Sequence, residues 1–311
     1  MAKIMRPKIV VIAGPTASGK SALAIRLAAN FGGEIVSADS MQVYRDMDIG
    51  TAKPTREERV GIPHHMLDVV DPDEEFNAAL YRSMAYPISM DLCGRGKLCL
   101  LVGGTGLYIK SLLGGLSFCP PADRAFRESL RRECGRHGSM HLYRRLEQLD
   151  PGSAGRIHPN DVVRIIRALE IIHLTNRRAS DLNREHNFGD APFRALKICM
   201  MVEREDLYRR IDERCEDMMD AGLVQETERL LARGYTPDLS PMKSIGYRHM
   251  IKYIKGKWTL DEALHNLQKD TRRYAKRQMT WFRGDPGFEW ISPADFDIIC
   301  SRIETFMYNS L

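Results

Sequence analysis

The chain has 311 residues, 43% of them hydrophobic, which is enough for a large core in one domain or in a domain with an inserted subdomain. Its net charge of +5 and pI of about 8.8 weakly favour an anionic partner. No stretch approaches the roughly 18 apolar residues of a membrane span, which excludes a transmembrane protein.

The cysteine pattern predicts a reducing compartment. The seven cysteines form no CxxC and no Cys/His spacing typical of zinc, so free thiols in a cytoplasmic protein with no membrane partner are expected. They are Cys93, Cys99, Cys119, Cys134, Cys199, Cys215 and Cys300.

The first predicted elements are a strand over residues 8–14 and a helix over 19–31. The sequence GPTASGKS between them fits the GxxxxGK[ST] phosphate loop. Its backbone N–H groups surround a phosphate, Lys20 adds a positive charge, and the Ser21 hydroxyl can hold Mg²⁺. A helix N-terminus also favours an anion. The expected phosphate or pyrophosphate site consists of Gly14, Pro15, Thr16, Ala17, Ser18, Gly19, Lys20 and Ser21.

A second predicted strand, EIVSAD, ends at Asp39 and is followed by Ser40, Met41 and Gln42. Asp39 has three interpretations: a Mg²⁺-linked acid of a phosphotransferase, a general base beside a nucleobase, or a cap of the next turn. Gln42 carries both a donor and an acceptor, which can pair with an adenine edge. The strand end is therefore a candidate reaction centre.

The next segment alternates loop, helix and strand. Residues 43–75 are rich in glycine and proline, and their adjacent His64 and His65 favour a structural role over metal binding. A helix is expected over about 77–93 and a buried strand over 97–104. The glycine turn that follows has three interpretations: it places the Thr105 hydroxyl in the ligand site, it forms an anion-binding nest, or it is a plain tight turn.

The second half predicts an inserted subdomain. The chain becomes helical and basic from Cys119 to about residue 185, a strand returns over 195–203, and helices follow near 205–233, 260–283 and 298–308. We expect an α/β fold with a P-loop NTPase-like parallel sheet core and an inserted helical subdomain. The predicted divisions are 1–118 for the first part of the core, 119–190 for the insert, and 191–311 for the rest of the core, mostly helical.

Two basic segments have alternative interpretations. A helix with Asp161 as its expected N-cap carries Arg164 and Arg167 three residues apart on one face. Such a pair suits either a polynucleotide backbone or a solvated face. Residues 271–283 place five cations among aromatic side chains. That pattern is typical of base stacking combined with phosphate contacts. It also fits a helix that covers the active site with its aromatic residues in the core, which is the better interpretation for Trp281.

The residues alone leave several functions open. A P-loop kinase is slightly favoured by composition and single motifs, although the strand over 97–104 ends in glycines rather than in a Mg²⁺-binding carboxylate. A nucleic-acid-binding NTPase and a non-catalytic RNA-binding module are further alternatives.

Seven blocks of sequence, in the same order, resemble the bacterial tRNA dimethylallyltransferases, also called adenosine-37 isopentenyltransferases. They are GPTASGKS (14–21), SADSMQVYRDMDIGTAKPT (37–55), IPHHMLDVVDP (62–72), LLVGGTGLY (100–108), IHPNDVVRIIRALE (157–170), SIGYR (244–248) and TRRYAKRQMTWFR (271–283). The blocks span nearly the whole chain, and the resemblance reverses the preference for a kinase.

The resemblance implies that the phosphate loop holds dimethylallyl diphosphate and that the dimethylallyl group passes to N6 of adenosine 37, beside the anticodon of tRNAs that read UNN codons. Pyrophosphate is released. The implied catalytic residues are Lys20, Asp39 as the base, and Thr105, with Arg210 as a second diphosphate-binding residue. Mg²⁺ at Ser21 is the implied cofactor, and a monomer is expected.

Members of this family draw the target base out of the anticodon loop into a channel and meet the small substrate from the other end. The implied tRNA-binding residues are Asp39, Ser40, Met41, Gln42, Thr105, Arg127, Asn160, Asp161, Val162, Val163 and Arg164.

Overall fold

The computed structural model describes residues 6–116, 120–186 and 189–308. One compact unit extends to Leu113 and resumes at Pro192, and a second unit comprises Gly114–Ala191. The insert was predicted over 119–190, and its predicted first residue, Cys119, lies outside the described residues. The other six cysteines are free thiols.

The first unit is built on one parallel sheet. In the described part of the chain its strands are β1 (Lys8–Ala13), β2 (Glu34–Ser37), β3 (His64–His65), β4 (Cys99–Gly103), β5 (Arg194–Met200) and β6 (Glu289–Ile291). Their order is β3-β2-β4-β1-β5-β6, and every pairing is parallel. The predicted α/β class with a parallel sheet is confirmed. The sequence analysis missed β3 and β6, because strands of two and three residues have no measurable periodicity.

Helices flank this sheet. In the first unit they are α1 (Lys20–Phe31), α2 (Ala78–Gly94) and α3 (Gly106–Gly114), followed after the insert by α9 (Arg204–Asp220), α10 (Leu223–Ala232), α11 (Tyr247–Ile254), α12 (Leu260–Arg283) and α13 (Phe296–Tyr308). The single helix predicted over 205–233 is two helices, because the chain turns at Gly222, where φ is +97°. The short helix α11 was not predicted.

Two of the buried clusters of the first unit lie on the two faces of the sheet, and a third joins α9–α12 to the loop after β2. Ile9 and Val11 of β1 pack on one face with Tyr81 of α2, while Val10 and Ile12 pack on the other with α1 and α13. Burial on both faces explains why β1 is apolar throughout. The carboxyl ends of β1, β2 and β4 therefore meet at one edge, where α/β sheets bind ligands.

The second unit is helical and has its own core. Its helices are α4 (Arg124–His137), α5 (Ser139–Leu149), α6 (Pro151–Ala154), α7 (Val162–Thr175) and α8 (Ala179–His186). Leu130, Leu142, Leu146, Ile165 and Leu169 are buried together between α4, α5 and α7. Across the described ranges of both units, every helix is too short or too polar to cross a membrane.

Candidate functional site

The predicted phosphate loop connects β1 to α1. Gly19 precedes α1 and has no side chain that could cap the first amide groups of the helix, which leaves these groups for an anion. The Ser18 hydroxyl is fully buried and has no hydrogen-bond partner in the described part of the chain. Because such a hydroxyl costs about 1–3 kcal/mol, the loop favours a ligand whose oxygen can satisfy it.

Two cavities adjoin the loop. The first has a volume of about 320 Å³ and lies over the ends of β2 and β4. Its walls include Thr16, Lys20, Ser21, Asp39, Ser40, Met41, Gln42, Arg214, Tyr274, Arg277 and Gln278. The second, of about 670 Å³, lies along Ala17, Ser18 and Gly19 and extends to Arg59.

Both cavities are lined by Lys20, Ser21 and Arg214. Two cationic side chains therefore lie where the cavities meet. Lys20 donates a hydrogen bond to the Pro15 carbonyl at 3.2 Å. Burial lowers the pKa of Lys20 to about 8, although the negative charge of Asp39 acts in the opposite direction. Burial also lowers the pKa of Arg214. Two desolvated cations with no salt-bridge partner in the described ranges suit a ligand with several negative charges.

The predicted Arg210 lies one helical turn before Arg214 on α9 and lines neither of these cavities. Side chains four residues apart share a helix face, so the sequence identifies the face but not which turn reaches the loop. Sequence analysis missed Arg214, and Arg210 as a diphosphate-binding residue stays a prediction.

Asp39 holds the turn that follows β2. Its Oδ1 accepts hydrogen bonds from the Met41 amide at 2.8 Å and the Gln42 amide at 3.3 Å. Its Oδ2 has no partner among the described residues, and the side chain lines the first cavity. The capping and general-base interpretations are therefore compatible, because each uses a different oxygen.

Thr105 supports the site from the turn after β4. Its hydroxyl accepts the Ser40 amide at 3.1 Å, although Thr105 itself lines neither cavity. Tyr274 of α12 lines the first cavity, and burial, reinforced by the charge of Asp39, raises the pKa of Tyr274. Thr105 thus holds the backbone of Ser40, the residue after Asp39, in position.

The Gln42 side chain lines the first cavity but is already engaged. Its Nε2 donates to the carbonyls of Thr51 at 3.3 Å and Ala52 at 3.1 Å. Its Oε1 accepts from the Ser37 hydroxyl at 3.3 Å. The amide is thus fixed before any ligand arrives.

Gln278 was missed by the sequence analysis and connects two site loops. Its Oε1 accepts the Thr16 amide at 2.9 Å, and its Nε2 donates to the Gly104 carbonyl at 3.0 Å. A Cβ at position 104 would lie 2.1 Å from that nitrogen and would displace the amide, and a Cβ at position 103 would lie 2.1 Å from the backbone oxygen of Ala38, so close approach favours glycine at this turn.

The second unit carries the residues predicted for tRNA. Arg127 donates through Nε and Nη2 to the fully buried Glu170, at 2.7 and 2.8 Å. Burial opposes ionisation of Glu170, but the bonds from Arg127 and Arg167 hold its pKa below the ordinary value. Arg127 and Arg167 therefore stabilise the unit itself.

The N-terminus of α7 is more accessible. Asp161 caps the helix by accepting the Arg164 amide at 3.1 Å, as predicted. The Arg164 side chain is 70% exposed and Val163 is 80% exposed, while Asn160 is exposed and Val162 half-buried. Arg164 is therefore the exposed member of the predicted arginine pair, and its guanidinium pairs with the Asp161 carboxylate at the surface, whereas Arg167 is held on the buried Glu170.

The remaining predicted features are placed as follows. On α12, Phe282 is in the core, but Trp281 is 44% exposed, so the core interpretation was wrong for Trp281. His65 pairs with Glu34 at 2.7 Å, and the His64 Nδ1 bonds to the Ile62 carbonyl at 2.8 Å. Within the described ranges, no three His, Cys, Asp or Glu side chains cluster as metal ligands.

Comparisons with known proteins agree over nearly the whole chain. The family described as IPP transferase matches residues 42–285, and that described as isopentenyl transferase matches residues 7–69. The tRNA dimethylallyltransferase of Geobacter sulfurreducens is 52% identical over 94% of this chain and 95% of the relative.

Solved structures show the same fold. The full-length tRNA isopentenylpyrophosphate transferase of Bacillus halodurans is 39% identical, with a TM-score of 0.73 over 97% of each chain. A eukaryotic dimethylallyltransferase acting on tRNA is 30% identical, with a TM-score of 0.79 over 96% of this chain and 77% of that one. The predicted P-loop NTPase-like sheet is therefore confirmed.

Proposed function

The chain belongs to the IPP transferase family, and we propose that it transfers a dimethylallyl group from dimethylallyl diphosphate to N6 of adenosine 37, beside the anticodon of tRNAs that read UNN codons. The observation that carries the proposal is the pair of desolvated cations, Lys20 and Arg214, in the same cavity as the unpaired oxygen of Asp39. This arrangement brings an anion-binding group and a base to one place.

The diphosphate binds at the phosphate loop in this proposal. Lys20, Arg214 and the loop amides stabilise the negative charge that grows on pyrophosphate as it leaves. Ser18 supplies a buried hydroxyl for a phosphate oxygen.

Mg²⁺ fits the same place with few protein ligands. The Ser21 hydroxyl is exposed to both cavities and forms no hydrogen bond within the described ranges. Mg²⁺ commonly binds one or two protein oxygens together with substrate phosphates and water, rather than an all-protein cage. When bound, it would neutralise charge on the diphosphate.

The reaction is a substitution at the allylic carbon. The N6 nitrogen of adenine forms a bond to that carbon while the bond from carbon to the diphosphate oxygen breaks. The N6 proton passes to Oδ2 of Asp39, whose Oδ1 is held by the turn amides. Thr105 keeps Ser40, and with it the start of this turn, in position.

RNA contacts are proposed for two sets of residues. In the first unit, Ser40, Met41 and Gln42 line the cavity that would receive the base. In the second unit, Arg164 and the exposed residues around it present a cation and polar groups to the phosphate backbone. Arg127 contributes by holding α4 to α7 through Glu170. The expected monomer and cytoplasmic location stay predictions.

One experiment tests the function directly. Purified protein and Mg²⁺ are incubated with unmodified tRNA, with dimethylallyl diphosphate in one tube and ATP in the other, and the digested nucleosides are weighed by mass spectrometry. We expect an adenosine heavier by one dimethylallyl group in the first tube alone. Consumption of ATP without modified adenosine would instead identify a kinase or an NTPase.

A further inference from the structure

A buried carboxyl group outside the reaction centre organises one wall of the first cavity. Glu226 of α10 is 3% exposed. Its Oε2 accepts the amides of Asp48 at 3.1 Å and Ile49 at 2.9 Å, and its Oε1 accepts the amide of Gly50 at 3.0 Å and the hydroxyl of Tyr247 at 2.6 Å. One side chain therefore caps the 3₁₀ turn over Ile49–Thr51.

Close packing fixes the same turn from its other side. A Cβ at Gly50 would lie 2.6–2.8 Å from ring and hydroxyl atoms of Tyr247, so the backbone lies directly against that fully buried ring. The turn then continues through Ala52, whose φ is +48°. Glu226 and Tyr247 together hold the loop at residues 48–52 in one conformation.

This loop orients the side chain of Gln42. The carbonyls of Thr51 and Ala52 accept both hydrogens of Nε2, which places Oε1 beside the Ser37 hydroxyl. An amide oxygen has two lone pairs, and Ser37 uses one of them. With two bonds donated by Nε2 and one accepted by Oε1, the second lone pair of Oε1 is what the Gln42 amide has left for a ligand in the cavity that it lines.

An acceptor at this position discriminates between purines. Adenine carries an N6 amine that donates a hydrogen bond, whereas guanine carries an O6 oxygen that only accepts one. A fixed acceptor attracts the first and repels the second. If the Gln42 amide could rotate, its NH₂ group would donate to O6 of guanine, and the preference for adenine over guanine would be lost.

We propose that Glu226 is a positioning residue for base selection: by capping the loop at 48–52 it holds the Gln42 amide with its oxygen toward the base, so that adenine is accepted and guanine rejected. This inference rests on the proposed function. It adds the residue that makes Gln42 selective, and that residue acts without touching the substrate.

The test measures binding rather than catalysis. Anticodon stem-loop RNAs with adenine or guanine at the target position are titrated by fluorescence anisotropy against the wild type, Glu226→Gln, Gln42→Ala and the double variant. Glu226→Gln replaces one carboxylate oxygen with an NH₂ group, so at least one loop amide loses its acceptor in either orientation of the new amide. We expect each single variant to lower the adenine-to-guanine affinity ratio by about tenfold, and the double variant to lower it no further.

Matched controls separate positioning from general damage. Glu228→Gln makes the same change at an exposed position on α10, and Tyr247→Phe removes one bond to Glu226 while leaving the three amide bonds. Both should keep the wild-type ratio. If Glu226→Gln does not fold, Glu226→Asp, which withdraws the carboxyl by one methylene, is measured instead.

The outcomes are distinct. A folded Glu226 variant with an unchanged ratio, or a double variant whose loss is the product of the two single losses, overturns the inference and leaves the proposed function standing. A wild-type protein that binds both RNAs equally overturns the inference alone, whereas one that binds neither RNA counts against the proposed function and against the inference with it.

Discussion

The side-chain oxygen of Gln278 accepts the backbone amide of Thr16 at 2.9 Å, across 262 residues of sequence. The nitrogen of the same amide donates to Gly104. Gln278 thereby joins the phosphate loop after β1 to the turn after β4, and it lies in the wall of the cavity that holds Asp39. The pairing of β1 with β4 brings these two loops together, and Gln278 links them directly at the proposed reaction centre.

Replacing Gln278 with alanine should therefore affect both stability and substrate binding. Two buried backbone groups lose their partner, so we expect the free energy of unfolding to fall by about 1–3 kcal/mol and KM for the diphosphate to rise. Gln268→Ala is the matched control, because Gln268 lies on the same helix and bonds to Glu216 near the surface. Equal effects of the two substitutions in denaturant melts and kinetics would contradict the assigned role.

Asp39→Asn should separate the two jobs of Asp39. The asparagine oxygen can still accept the amides of Met41 and Gln42, so the turn is kept, but the base is lost. We expect single-turnover transfer to fall by roughly 10²-fold or more while tRNA affinity is unchanged. Asp39→Ala should match that loss in transfer and also disturb the turn. Transfer near the wild-type rate in Asp39→Asn would remove Asp39 from the role of base.

Arg214 and Arg210 provide a matched pair on one helix. Arg214 lines both cavities and Arg210 lines neither. Arg214→Ala should therefore weaken the binding of a non-reactive dimethylallyl diphosphate analogue by tenfold or more. The reason is that a lost charge-assisted hydrogen bond costs about 1.5–3 kcal/mol of binding free energy. Arg210→Ala should change it little. Calorimetric titration distinguishes the two variants, and the reverse order would support the prediction of Arg210 made from the sequence.

The pKa of Lys20 predicts how diphosphate affinity varies with pH. Burial lowers this pKa to about 8, so the free protein carries a charged Lys20 below pH 8 and progressively loses that charge above it. A bound anion favours the charged form, so binding above pH 8 takes up a proton, and affinity falls by up to about tenfold per pH unit. Calorimetry of the same analogue in two buffers measures both effects. Lys20→Met should abolish them, and a wild-type affinity that stays constant from pH 7 to 9 contradicts the assignment.

Arg164→Ala should weaken tRNA binding at every sequence and reduce the salt slope by about one phosphate contact. Arg184→Ala is a close control in the same unit, since Arg184 is equally exposed and also pairs with an aspartate three residues earlier. Binding isotherms at several salt concentrations distinguish the two. If both variants keep the wild-type slope, Arg164 belongs to a solvated surface.

Local signals explain what could be predicted from the sequence. The phosphate loop, the turn after Asp39 and the Asp161 cap of α7 each depend on residues within a few positions of one another, so their residue types identify them. The apolar runs of β1 and β4 likewise indicate buried parallel strands. The order of those elements then places the three loops at one edge of the sheet.

The sequence by itself thus determined the fold class, and it predicted the chemistry of the phosphate loop and Asp39. Only the tertiary structure decided which distant side chains complete the site. Gln278 contacts Thr16, Glu226 contacts residues 48–50, and Arg214 lines the cavities beside the phosphate loop. Each of these residues lies 170 or more positions along the chain from the loop that it serves. Gln278 lies in the 271–283 block, but nothing in that block distinguishes it from its neighbours, and no local pattern marks Glu226 or Arg214. Their burial and partners are set by how α9, α10 and α12 pack against the loops.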